Sequence, residues 1–399
     1  MSVIFLVFKK LGKAMLNTYN KVTDYNVKIA NLINRKENPD GLPRRFYLSL
    51  SQAKSMDPKL RAEGELLELP YGENPGLDAV AYGITGYMMG ILDWKYLGGT
   101  RPSFNKLREA AKIHKLLQGF EFIPTAITGK HGIISGFGSS IECIEKAYKL
   151  AHACDPEADL GNETMLNREC TVEAAKLIGL DLKNKWKKKS NTVFTEGLGS
   201  DSYEEGATEK ALDIVKEKQK KKITIFQTGP YSNFPYDFRF EDGMFLCQKV
   251  VDYSKGIPRK GKWVTKRKGN EETESQMYYV LETAWRTPSN EVNAGTARTE
   301  DGKLIELRTL GIGTSTKRSR ATWMALENYK KFNWKKRNVI LASGGFFPEK
   351  DNIELAAEYE IDYIIVPEGG RKKDEVVKEA DDWGIAMYFT NPSIRFFSH

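Results

Sequence analysis

The sequence predicts an α/β protein of two similar halves, and three observations carry that expectation. Apolar strand-like segments alternate with amphipathic ones of helical period, as where Asp362-Tyr363-Ile364-Ile365-Val366 is followed by Asp374 to Asp382. The alternation runs through the first half and returns from Glu274 to the end. Glycine-rich loops follow strands directly, at Ser343-Gly344-Gly345 and Pro367-Glu368-Gly369-Gly370, and such loops are where α/β folds bind ligands.

At 399 residues the chain can form two to three domain-sized units with ample length for a core. A hydrophobic share of 40% against 29% charged residues is that of an ordinary globular fold. No apolar run approaches the ~20 residues of a membrane span, and the apolar start, Val3 to Phe8, lacks the basic segment and cleavage site of a secretory leader. Cys143, Cys154, Cys170 and Cys247 show no Cys-x-x-Cys spacing, which argues against a zinc site and for a reducing cytoplasm. The net charge of +8 permits attraction to phosphorylated ligands or nucleic acid. The basic stretch Lys255 to Lys268, with Trp263 inside it, reads as a solvated edge hairpin rather than a nucleic-acid surface, because Glu271, Glu272 and Glu274 follow at once.

Taken in order, Leu11 to Lys36 has helical rhythm and closes on the turn Asn38-Pro39-Asp40-Gly41, and Arg45 to Leu50 reads as a strand. The turn-forming Leu67 to Gly76 is a candidate binding loop. Phe104 to Leu117 and Ile141 to Cys154 read as helices flanking an apolar strand from Phe122, and strand, loop and helix follow one another as in βαβ units. A charged helix over Glu209 to Lys222 leads into Ile223-Thr224-Ile225-Phe226, and Gly243 to Val251 is a further strand. The second half gives helices over Glu274–Thr287, Ser319–Tyr329 and Asn352–Tyr359, and strands over Gly302–Leu310, Val339–Ser343, Asp362–Val366 and Ile385–Phe389.

The apolar run Phe122 to Thr128 ends in Gly129-Lys130-His131-Gly132, which places an ammonium beside an imidazole at a strand's exit. A nearby cation favours the neutral ring that a general base requires, so the pair suits proton abstraction from a weak amine. The same dipeptide can equally be a solvated lysine and a satisfied histidine.

The end of the chain, from Val339-Ile340-Leu341-Ala342-Ser343-Gly344-Gly345-Phe346-Phe347-Pro348 through Asp351-Asn352, Gly384-Ile385-Ala386-Met387 and Ile394-Arg395-Phe396-Phe397-Ser398-His399, resembles the carboxyl end of AICAR transformylase. That family is the formyl-transferring half of the bifunctional AICAR transformylase/IMP cyclohydrolase. Tyr71-Gly72-Glu73-Asn74-Pro75, Lys130-His131, Leu166-Asn167-Arg168-Glu169, and Ser289-Asn290 leading to Gly311-Ile312-Gly313 and Ser319-Arg320 match its motifs in order. The resemblance runs from roughly residue 10 to the end and implies a one-activity version without the cyclohydrolase domain. It implies two tandem cytidine-deaminase-like α/β/α units, expected over residues 66–242 and 243–399, after a helical extension over 1–65, with active sites shared across a homodimer.

By that resemblance His131 is the base, Lys130 stabilises transition-state charge and Asn290 orients the amine or the tetrahedral oxygen. Tyr71, Gly206, Phe346 and Arg395 would hold AICAR nucleotide, with Arg395 on the 5′-phosphate. Arg320, Ala321, Asp351, Gly370 and Arg371 would hold the donor, 10-formyltetrahydrofolate, and no metal, membrane or nucleic acid is implied. The chain departs from the family pattern at Pro70, where an Arg is usual, at Gly76, at Gly344, and at Asp159-Leu160-Gly161-Asn162 in place of an SFGG-like turn. Two alternatives stay open at this level: a diverged formyltransferase with another donor or substrate, and a non-catalytic purine-nucleotide-binding protein.

Overall fold

The structure is a computed structural model that describes residues 50–52, 68–74, 76–84, 90–158, 161–180, 195–210, 213, 223–232, 234–288, 290–333 and 336–394. The expected helices of Leu11 to Lys36, most of the charged helix of Glu209 to Lys222, and Arg395 lie outside the described residues.

Short strands β1 (Leu50–Gln52), β2 (Glu68–Leu69), β3 (Ala79–Val80) and β4 (Tyr82–Ile84) precede β5 (Lys95–Gly99). Then come α1 (Phe104–Lys115), β6 (Thr125–Lys130), β7 (Ile133–Ser140), α2 (Ile144–His152), β8 (Asn162–Leu166), α3 (Val172–Leu180), β9 (Thr195–Ser200) and β10 (Thr224–Gln227). Among the described residues a hairpin of β11 (Tyr236–Glu241) and β12 (Met244–Lys249) pairs only with itself, and the expected boundary between residues 242 and 243 falls in its turn. After it come β13 (Gly261–Trp263), α4 (Glu271–Trp285), β14 (Glu291–Glu300), β15 (Lys303–Thr314), α5 (Arg318–Asn333) and β16 (Ile340–Ala342). The chain continues through α6 (Asp351–Glu358), β17 (Tyr363–Pro367), α7 (Lys373–Asp382) and β18 (Ala386–Thr390).

Twelve of these strands form one sheet in the order β13-β18-β17-β16-β14-β15-β7-β6-β8-β9-β10-β5. Read outward from its centre, each side repeats the same plan: an antiparallel hairpin, an antiparallel neighbour, two strands parallel to that neighbour, and an antiparallel edge strand. The two similar halves read from the sequence are thus two units of one α/β sheet, joined where β15 pairs antiparallel with β7 through Leu307 and Ser139. The βαβ reading holds for the parallel outer strands only, since each unit is centred on a hairpin. The basic stretch read as an edge hairpin contributes the single edge strand β13, where exposed Lys260 and Lys262 discourage further strand addition.

Helices cover both faces. One core packs α1 and α4 against the sheet across both units, around Ile113, Ile127, Met165, Met277, Leu281 and Ile340. The opposite face carries one core per unit, under α2 and α3 and under α5, α6 and α7. Arg286, 1% exposed, fastens α4 to the other unit by donating to the carbonyls of Leu116 (2.9 Å) and Gln118 (2.8 Å). Its guanidinium lies 4.9 Å from the ring centres of both Phe120 and Tyr253.

The central hairpins carry glycine where α2 and α5 sit almost on their backbone. A Cβ on Gly136 would come within 1.9 Å of the Ala151 carbonyl oxygen, and one on Gly138 within 2.2 Å of that of Ala147. In the second unit, Gly311 and Gly313 would meet the carbonyls of Ala325 and Ala321 at 2.0 and 1.9 Å. Gly311-Ile312-Gly313 is therefore a helix-docking surface. We expect Gly138→Ala and Gly313→Ala each to cost ~1–3 kcal/mol by overpacking, read as a lowered urea midpoint. An unchanged midpoint would contradict this close packing.

Candidate active site

The β6–β7 ladder pairs Lys130 with Ile133, so His131 and Gly132 alone make the turn. Both have positive φ, 56° and 73°, the signature of a type I′ turn, in which the backbone twist matches that of the strands. The corresponding β14–β15 turn uses Asp301-Gly302 with φ of 50° and 72°, a common pair for this geometry. At the equivalent position the first unit has a histidine, which like Asp and Asn is tolerated at positive φ better than most side chains, although left-handed backbone at any non-glycine residue costs of order 1–3 kcal/mol. The strand expected to run out through an exit loop instead ends in this hairpin turn.

The turn is gripped from α1. Glu109 accepts the His131 backbone N–H at 2.9 Å, and its other carboxylate oxygen lies 3.3 Å from Nδ1 of the imidazole. The ring itself is three-quarters exposed, with a side-chain exposure of 75%. It lines a cavity of 320 Å³ together with Glu73, Asn105, Arg108, Glu109 and Lys112. The Tyr71–Asn74 loop reaches the same place because Glu73 pairs with Arg108 at 3.0 Å and its carbonyl accepts from Asn105 at 3.1 Å. Tyr71 is exposed at the side of this loop. Burial and the neighbouring Arg108 and Arg239 hold the Lys112 ammonium below its usual pKa, and its stem packs where a Cβ on Gly132 would sit.

A second cavity, of 420 Å³, opens where β16 and β17 end and α5 and α6 begin. Phe346, Asp351, Gly370 and Arg371 line it with Lys317 and Arg318. Gly370 has φ of 92°, and a Cβ there would lie 3.1 Å from the Phe346 ring, so glycine is needed for both the turn and the ring's seat. Lys317 pairs with Asp351 at 3.4 Å. Two helix N-termini and four cations, Lys317, Arg318, Arg371 and Lys372, face this space beside Glu349 and Asp351. That arrangement favours an anionic ligand.

Asn290 is tied to the second cavity by Arg318, whose Nη2 donates to Asn290 Oδ1 at 3.0 Å, while Asn290 Nδ2 donates to the Thr316 carbonyl at 3.1 Å. Arg318 also donates to the Glu291 carbonyl (3.0 Å) and to Ser343 Oγ (2.6 Å). The Glu291 carboxylate, 1% exposed, stands 3.8 Å from this guanidinium and accepts the Gly344 N–H. Burial pushes the Glu291 carboxyl up to about 7, with Arg318 and two backbone hydrogen bonds opposing, and the same burial lowers the Arg318 pKa.

The structure therefore places His131 at one cavity, with Tyr71 exposed on the loop whose Glu73 lines it, and Phe346, Asp351, Gly370 and Arg371 at another, with Asn290 bonded to the Arg318 that lines it. Both lie at the same edge of the sheet, because β14, β15, β7 and β6 are successively antiparallel and β6 ends where β14 starts. Arg320 is exposed on the first turn of α5, and Ala321 is fully buried beneath Gly313. Gly206 follows the far end of β9, at the opposite edge of the sheet, and lines neither cavity. Sequence reasoning missed Glu109, Lys112, Arg318 and Glu291. Only Arg318 left a trace, two positions before the Arg320 that the motif singles out.

A duplicated α/β unit with an imidazole and an ammonium on one hairpin and a guanidinium-oriented amide on the other defines a two-unit protein with a divided polar site. The chain belongs to the AICARFT/IMPCHase bienzyme family, whose profile matches residues 8–328. It is 32% identical over 332 residues to the bifunctional purine biosynthesis protein PurH of Petrotoga mobilis, covering 83% of this chain and 58% of that protein. It is 30% identical over 361 residues to the protein of that name from Streptococcus pneumoniae, covering 88% and 64%, and 31% identical over 336 residues to that of Streptococcus thermophilus, covering 82% and 59%. The chain thus spans about three-fifths of the length of these relatives. The resemblance carried by the motifs is borne out at the level of the family.

Because its pKa is raised on folding, Glu291 binds a proton in the folded chain that the unfolded chain has released between pH ~4.5 and ~7, so its contribution to stability falls as pH rises through that window. Glutamine mimics the protonated form. We expect the stability of Glu291→Gln relative to wild type to improve as pH rises from 5 to 8 in denaturant titrations; a difference independent of pH would contradict the buried-carboxyl reading.

Proposed function

We propose that the chain is a formyltransferase that moves the formyl group of 10-formyltetrahydrofolate onto the 5-amino group of AICAR, giving FAICAR in purine synthesis. The observation that carries this reading is the His131 turn: an imidazole exposed to a cavity, beside Lys130, with Glu109 at Nδ1. Accepting from Nδ1–H, Glu109 leaves Nε2 free to act as base. The amine of AICAR is a poor nucleophile, its lone pair delocalised toward the carboxamide, so proton removal must accompany attack. As the nitrogen bonds to the formyl carbon, His131 takes the amine proton and Lys130 stabilises the charge on the formyl oxygen. The bond from carbon to folate N10 then breaks, and N10 leaves as the amine, taking the proton that His131 had accepted.

Asn290, held rigid by Arg318, orients the amine or that oxygen. Phe346 shapes the nucleotide pocket, and Asp351, Gly370 and Arg371 hold the donor in the cationic cavity. Arg395 is assigned to the 5′-phosphate. No residue lines both cavities, which supports a homodimer in which the His131 turn of one protomer meets the Phe346 cavity of its partner.

The test is an assay of purified protein with AICAR and 10-formyltetrahydrofolate, following tetrahydrofolate and FAICAR. We expect stoichiometric formation of both, and no transfer from the folate donor would overturn the proposal. Mixing inactive His131→Ala with inactive Phe346→Ala should restore roughly a quarter of wild-type activity through mixed dimers. A fully active monomer would exclude the shared site.

A further inference from the structure

Asn162 opens β8 and is only 1% exposed, yet among the described residues neither its Nδ2 nor its Oδ1 has a hydrogen-bond partner. Buried amides are almost always satisfied, so both ends of one left unpaired call for an explanation. Its position supplies one. The β6–β8 ladder pairs Ala126 with Leu166 and steps regularly to Gly129 with Glu163, its last pair, beyond which Lys130 and Asn162 are the next residues of the two strands. Facing residues of an antiparallel pair project from the same side of the sheet as close neighbours. At the same point β9 carries an extra residue, since Asn162 pairs with Thr195 and Glu163 with Gly197, and bulges of this kind re-aim side chains beside sites. In the turn that precedes β8, Asn162 also stands where the family pattern has glycine.

We propose that Asn162 is a specificity-determining residue of the transfer site, its amide forming a paired donor–acceptor contact with the carboxamide of the aminoimidazole substrate. The inference rests on the formyltransferase reading. In that substrate the carboxamide and the reacting amine are on adjacent ring carbons, so the group that holds one must neighbour the group that acts at the other. Asn162 stands at the end of the strand beside Lys130, whose ammonium by the proposed mechanism acts on the formyl group that this amine attacks. A primary amide offers one N–H and one carbonyl oxygen in a plane, the complement of the same two groups on the substrate. A glycine at this position can offer neither.

The experiment measures binding of AICAR nucleotide and of 5-aminoimidazole ribonucleotide, which lacks the carboxamide, by titration calorimetry on wild type, Asn162→Ala and Asn162→Gly, with the thermal midpoint of each. We expect wild type to prefer the carboxamide ligand by at least roughly tenfold, as a site built to hydrogen-bond a group rejects the analogue lacking it. Both variants should lose that preference while affinity for the analogue stays the same. The thermal midpoint of Asn162→Ala should not fall, because the alanine removes a buried polar group that has no partner. Full discrimination in either variant would overturn the inference, as would equal loss of affinity for both ligands with a lowered midpoint, the mark of a structural role. If wild type bound neither nucleotide, the formyltransferase reading itself would fall and take this inference with it.

Discussion

The second unit's half of the site depends on one buried contact, the approach of the Arg318 guanidinium to the Glu291 carboxylate at the start of β14. Removing both groups from water is costly, and burial opposes charge on each. What offsets the cost is hydrogen bonding around them: Arg318 also binds Asn290, Ser343 and the Glu291 carbonyl, and Glu291 receives the Gly344 N–H. Two strand ends, β14 and β16, and the first turn of α5 are thereby fixed to one another. Asn290 inherits its orientation from this network. Gly344, which departs from the family pattern, leaves the Glu291 carboxylate to be met by a backbone donor at that point.

The first unit answers with a different constraint. A two-residue hairpin turn of type I′ requires positive φ at both positions, and the paired turn of the second unit meets it with Asp301-Gly302. The first unit places His131 there and holds it with Glu109 through both the backbone and the ring. Strain kept at a residue with an exposed imidazole is expected where geometry is fixed for chemistry rather than for stability.

Much of this was legible in the sequence, and the rest was hidden for physical reasons. The outer strands β16, β17 and β18 are rich in Ile, Val, Leu and Phe and stand out by composition. Strands β7, β8, β9 and β14 went unread because Gly, Ser, Thr, Asn and Glu interrupt their apolar residues. Gly136 and Gly138 on β7 show why: an apolar side chain would collide with the helix above. The motif residues His131, Asn290 and Phe346 were found by resemblance, and the fold gathers their neighbours. Glu109 and Glu291 were not found, since on a helix or after a loop a glutamate looks solvated until the fold brings a hairpin turn or a guanidinium to it. Gly206 was matched by motif yet lies at the other edge of the sheet, which only strand direction could reveal.

The central claim is that His131 occupies its turn for chemistry. The most direct test is His131→Asn, with turnover and unfolding free energy measured on the same preparation. Asparagine suits positive φ but is not a base, so stability should hold or rise while kcat falls by at least ~10², with AICAR affinity within a few-fold of wild type. Near wild-type turnover, or a loss of stability that accounts for the lost activity, would contradict the account.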